Sequence, residues 1–166
     1  MAGMINQLIE VLNEQAARCE ELLGLSREKR DVIITNDVDN LQKITSLENI
    51  IVSQNQKLEK KRESLIADIG SVLGKEGEKL TISALAELME GQEEQQLLLD
   101  IRARIQGVME ELSENNLQNA SLIQNALDYI EYSMNVLRYS GSQEPPMYTA
   151  QGEQITNDTG IFDVRN

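Results

Sequence analysis

The chain has 166 residues, room for one domain and a tail, and its 28 acidic against 15 basic residues give a net charge of −13. That balance argues against nucleic acid and anionic membrane as partners, because both reward clustered lysine and arginine. Apolar residues make up 40% but aromatic ones only 3%, and there is no His. A Leu/Ile/Val/Ala core of this kind suits helix-on-helix packing, and imidazole-based acid–base chemistry and His-ligated metal sites are excluded.

The first predicted helix covers 4–34. Ile5, Leu8, Leu12, Ala16, Cys19, Leu23, Ser26, Arg30 and Ile33 fall at three–four spacing. Leu22, Leu25 and Val32 widen the stripe in its second half, and Gly24 interrupts it. Cys19, the one cysteine, sits on the stripe beside Glu20 and Glu21. It reads as a small buried hydrophobe rather than a reactive thiol, which needs a basic or helix-start setting. With no intrachain disulfide available, a reducing compartment fits. There is no basic-then-apolar leader in MAGMINQLIEVLNEQ and no run of about 18 apolar residues, so a cytoplasmic location without membrane insertion is expected. Thr35-Asn36-Asp37 leaves room only for an antiparallel turn or a sharp bend.

The second helix, 36–73, is by its pattern the stretch that organises the chain. Ile44, Ile51, Leu58, Leu65 and Val72 repeat every seven residues as one seam column. The partner column is Leu41, Glu48, Asn55, Arg62 and Ile69, so three layers in succession are polar. Such layers cost stability and fix register. Gly74 is placed to close the helix in a left-handed conformation. GKEGEKLT (74–81) reads as a loop, Thr81 as the cap of a short helix over 82–90, and Gly91 as its end.

The third long helix is expected over 92–139, with columns Leu98, Ile105, Leu112, Asn119, Ala126, Ser133 and Ile101, Val108, Asn115, Leu122, Tyr129, Val136. Antiparallel pairing with the second helix sets Glu48 opposite Asn119. A polar layer of Glu48, Asn55, Arg62, Asn115 and Asn119 is therefore expected, with asparagine amides supplying donors to Glu48. The expected fold is all-α: an elongated antiparallel bundle, or coiled-coil hairpin, of three long helices with one short connecting helix.

Residues 140–166 lose the helical period and read as a flexible tail. The tail still carries Met147, Tyr148, Ile155, Ile161, Phe162 and Val164, the spaced apolar anchors of a segment that orders on a partner. No phosphate loop is present, and paired acids such as Glu93-Glu94 and Glu110-Glu111 read as solvated helix faces. No cofactor, metal or catalytic residue is expected, and an enzyme is not.

The run LLGLSREKRDVIITNDVDNLQKITSLENII, with Leu22, Leu23, Lys29, Asp37, Leu41, Ile44 and Glu48, resembles the FlgN-type flagellar export chaperones. Arg62, Leu80-Thr81, the Asn-rich stretch from Asn115 to Ile123, and Tyr148 followed by Gly152 extend the likeness over nearly the whole chain. The resemblance implies a cytoplasmic chaperone. It binds the C-terminal segment of the hook-associated proteins of the hook–filament junction, prevents their premature assembly, and delivers them to the type III export gate. It also implies that the C-terminal region engages the client and that a tyrosine there, which Tyr148 matches, bears on gate docking. Anchor logic adds Ile155, Ile161 and Phe162. The end of the long helix, with Ile130, Met134, Leu137 and Tyr139, is the other client-binding candidate. A structural coiled-coil scaffold is the rival reading, and a homodimer stays open.

Overall fold

The structure, a computed structural model, describes residues 1–141, 147–148 and 154–155. In chain order its elements are α1 (Ala2–Ile34), α2 (Val38–Val72), α3 (Ile82–Leu88), α4 (Glu93–Gly141), β1 (Met147–Tyr148) and β2 (Gln154–Ile155). The described chain is therefore all-helical apart from one short ribbon. Its packing divides it into two units, Met1–Gln124 and Asn125–Asn166.

In the first unit, α1 and α2 form an antiparallel pair. Lys29 meets Glu48, and Gln15 meets Glu59, so positions rise on one helix as they fall on the other. Between them Asn36 takes φ 54, a left-handed conformation that Asn tolerates better than most residues. Asn36 is thus the turn rather than the start of α2. Asp37 caps α2 instead, its side chain accepting from the Asn40 amide at 3.1 Å.

The helix with the widest buried face is α1, not α2. Ile5, Leu8, Ile9, Val11, Leu12 and Ala16 are all buried and cover an arc of about 160° at 3.6 residues per turn. On α2 the buried seam residues Ile44, Ile51, Leu65 and Ile69 fall within about 60°. The wide arc lets α1 contact both α2 and the first part of α4, which runs beside it in the same direction: Glu20 meets Arg104, and Ser26 meets Asn116.

One core cluster joins Ile5, Leu8 and Leu12 of α1, Leu65 and Ile69 of α2, Leu85 of α3, and Leu98 and Ile101 of α4. Each such fully buried aliphatic side chain stabilises by about 1.5–3 kcal/mol. The chain reaches α3 through a tight helix end. Gly74 at φ 68 lets the Lys75 amide donate to the Gly70 carbonyl at 2.8 Å, a left-handed closure that satisfies a terminal carbonyl. Thr81 caps α3 by accepting from the Ala84 amide at 3.1 Å, and Gly91 ends that turn at φ 82.

The second unit comprises residues 125–141 of α4 and the ribbon, in which β1 pairs antiparallel with β2 through Met147↔Ile155 and Tyr148↔Gln154. The flexible tail expected over 140–166 lies, beyond Gly141 and the two strands, outside the described residues, as do Ile161 and Phe162.

Candidate functional site

The polar seam residues are each engaged, but by α1 or by their own helix rather than by one another. Glu48 takes its hydrogen bond from the Lys29 ammonium at 2.8 Å, and both side chains are mostly covered, at 17% and 20% exposure. Asn55 donates to the Cys19 sulfur at 3.5 Å. Arg62 pairs with Glu59 one turn back, and Glu59 also accepts from Gln15 of α1 at 2.9 Å. Asn115 accepts from Arg30 at 2.9 Å. Asn119 is buried and donates to the Ser26 carbonyl at 2.8 Å and more weakly to the Ser26 hydroxyl at 3.3 Å. The expected supply of asparagine donors to Glu48 is replaced by Lys29, a cation in place of neutral amides.

Glu48 and Asn119 nevertheless line one hollow of about 390 Å³ between α1, α2 and α4, together with Lys29 and Asn116. Lys29, Ser26 and Arg30 are visible in the sequence, Ser26 and Arg30 on the α1 stripe and Lys29 in the run 22–51, but not as the partners of these polar residues. Their signal was weak, since each sits where α1's apolar period lapses. At the rim, Glu20 accepts both Arg104 hydrogen bonds, at 2.7 and 2.8 Å, and Arg27 pairs with Glu111. The Arg104 guanidinium, donating to Glu20, holds that carboxyl below the usual range.

The second unit has a different surface. The candidate residues Ile130, Met134, Leu137 and Tyr139 are all exposed, Leu137 and Tyr139 at 71% and 70%. Leu127, Tyr129, Tyr132 and Val136 join them, so eight large apolar side chains stand in solvent between 127 and 139. The helix positions of Tyr129 and Val136 fit a heptad column, but both side chains are exposed. The available signal was compositional, because every tyrosine of the chain falls between 129 and 148. Of the tail candidates, Tyr148 lies in β1 and Ile155 in β2.

No described helix is long and apolar enough to cross a membrane, and no group of three metal-ligating side chains occurs among the described residues. Among the described residues the protein is all-helical apart from one short ribbon, with large apolar side chains exposed at the end of α4. A family model described as FlgN protein matches residues 1–155. The chain belongs to the FlgN family, whose general role is that of a flagellar export chaperone. No curated protein and no solved structure matches the chain.

Proposed function

We propose that the chain is a cytoplasmic chaperone for hook-associated proteins of the hook–filament junction. It binds their C-terminal segment, keeps them from assembling early, and hands them to the export gate of the flagellar type III apparatus. It acts by binding, not by catalysis, and inserts into no membrane. Its body is the helical bundle of 4–139, three long helices with the short α3 between two of them, and its partner-binding tail is 140–166. The observation that carries this reading is the run of exposed apolar side chains from Leu127 to Tyr139. Ile130, Met134 and Leu137 supply the anchors of a helix-binding face, spaced so that an amphipathic client helix can lie along them, and Tyr139 adds a contact from the other side of the same helix. Tyr148, Ile155, Ile161 and Phe162 add contacts from the tail.

Sequestration follows from competition, because the client surface held here is the one that would pair with its own kind. A dissociation constant in the range of about 1 nM to 1 µM holds the client and still lets a competing gate site remove it. Glu48, Asn55, Arg62, Asn115 and Asn119 serve the body, as polar layers that set helix register.

The test is calorimetric titration of a junction-protein C-terminal peptide into the full chain, a version ending at Gly141, and Ile130→Ser with Met134→Ser. Loss of binding in the double variant supports the helix face, and a weaker loss on truncation adds the tail. Unchanged binding to the double variant removes the face from the proposal. No binding to the full chain removes the client and favours a structural scaffold.

A further inference from the structure

The exposed side chains of α4 do not form one face. At about 100° per residue, Leu127, Ile130, Met134 and Leu137 make an aliphatic stripe, and Tyr129, Tyr132, Val136 and Tyr139 make a second, its centre about 160° away. Exposed Glu131 and Arg138 fill one gap. Ser133 and Ser140 mark the other, each hydrogen-bonded back to its own helix, to the Tyr129 and Val136 carbonyls at 2.8 and 2.5 Å. A single client helix lies on one stripe and leaves the other in water. From the exposures given, one stripe offers on the order of 400–500 Å², against roughly 800 Å² per partner in a specific interface. A second copy of this chain pairing along one stripe meets the same shortfall, with only two heptads of seam.

We propose that in the chain without its client the tyrosine stripe seats the chain's own residues 156–166, while the aliphatic stripe stays open to the client helix. The proposal rests on the reading of α4's end as the client site and adds a second occupant to it. Reach allows it. The ribbon sets Ile155 opposite Met147, which is six residues beyond the end of α4 at Gly141. From there eleven residues span at most about 36 Å, and the helix from 127 to 141 is about 21 Å long.

Chemistry sorts the two occupants. Asn157, Asp158, Thr159 and Gly160 are poor helix formers, so 156–166 meets the helix as extended chain, with amides and carbonyls that no helix satisfies. Tyrosine hydroxyls can hydrogen-bond those groups, and Leu, Ile and Met cannot. Phe162 and Val164 fall on one side of an extended segment, suited to the rings, and Ile161 falls on the other.

The experiment is photo-cross-linking of the full chain, alone, with p-benzoylphenylalanine in place of Phe162. The expected result is cross-links on monomer-sized protein to the tyrosine stripe between 129 and 139. Tyr132→Ser with Tyr139→Ser lowers the yield about tenfold, the loss expected when two ring contacts vanish. Ile130→Ser with Met134→Ser leaves the yield unchanged. Far-UV dichroism confirms that these solvent-exposed changes leave the helix intact, and Tyr132→Phe with Tyr139→Phe, which keeps the rings, falls between. Cross-links on dimer-sized protein would put a second copy on the stripe. Cross-links to Ile130 or Met134 would put the tail on the client's face, and none between 129 and 139 would leave the stripe to an outside partner. Each of these overturns the proposal. Because no client is present, its failure is distinct from failure of the calorimetric titration.

Discussion

The side-chain amide of Asn119 donates to the backbone carbonyl of Ser26 across 2.8 Å, and both residues are buried. That carbonyl already belongs to the α1 hydrogen-bond ladder, so Asn119 uses its second lone pair and ties α4 to one position along α1. An apolar side chain could fill the space but could not choose that position. Asn119→Ala is expected to cost about 1–3 kcal/mol in urea unfolding, through the lost hydrogen bond and the space left behind. Asn119→Asp should cost more, because a carboxylate would face the Ser26 carbonyl with no proton to give. Equal stability of Asp and Ala variants would show that the amide's direction does not matter.

Lys29 and Glu48 make a further inter-helix polar tie, between α1 and α2, with less than a quarter of either side chain exposed. Partial burial makes the unpaired charge the costly state. Lys29→Met alone should therefore destabilise the protein by about 1–3 kcal/mol, and adding Glu48→Met should recover most of that loss. A double-mutant cycle in urea reads the coupling. Strictly additive losses would mean the two groups contribute independently.

How much of this was legible follows from range. The stop at Gly74, the cap at Thr81 and the end at Gly91 each depend on a few neighbouring residues, and all three are where local rules put them. The seam of Ile44, Ile51 and Leu65 was legible for the same reason, since a seven-residue repeat is local. Two things were not. The breadth of α1's buried face, which makes it the helix shared by α2 and α4, depends on Ile9 and Val11 being covered from a second side. Pattern counting instead favoured the cleaner repeat of α2. The partners of the polar layers were hidden as well, because Lys29 and Ser26 look like lapses in a stripe until the facing helices are in place. At Tyr129 and Val136 the heptad continues in sequence, but both side chains are exposed, which period alone cannot reveal.

Two glycines should respond to alanine with opposite sign. Gly24 lies within α1, at a helical backbone position where an added Cβ meets nothing within 4 Å. Gly24→Ala is expected to stabilise by about 0.5–1 kcal/mol, by restricting the unfolded chain and favouring helix. Gly74 sits at φ 68, where an L side chain is strained. Gly74→Ala should destabilise by about 1 kcal/mol, and Gly74→Asn by less. Thermal melts of the three variants check the signs, and a stabilising Gly74→Ala would refute the left-handed closure.

The last prediction concerns pH and the pair at the rim of the body. Arg104 donates two hydrogen bonds to Glu20, and this contact, against a smaller desolvation effect, holds the Glu20 carboxyl below its ordinary value. The folded chain then takes up this proton at lower pH than the unfolded chain does. The pair's contribution is present above the unfolded glutamate value of about 4.3, and it is lost as pH falls through the lower, folded value. Arg104 stays charged throughout, so Glu20 alone sets the window. Both side chains are solvated, so the effect is small and screened by salt. The melting temperatures of the wild-type chain and of Glu20→Gln should therefore differ at pH 7 in low salt, converge as pH falls below about 4, and converge again at about 1 M salt. A constant offset across pH would mean that the substitution acts through packing, not through the charge that Arg104 holds.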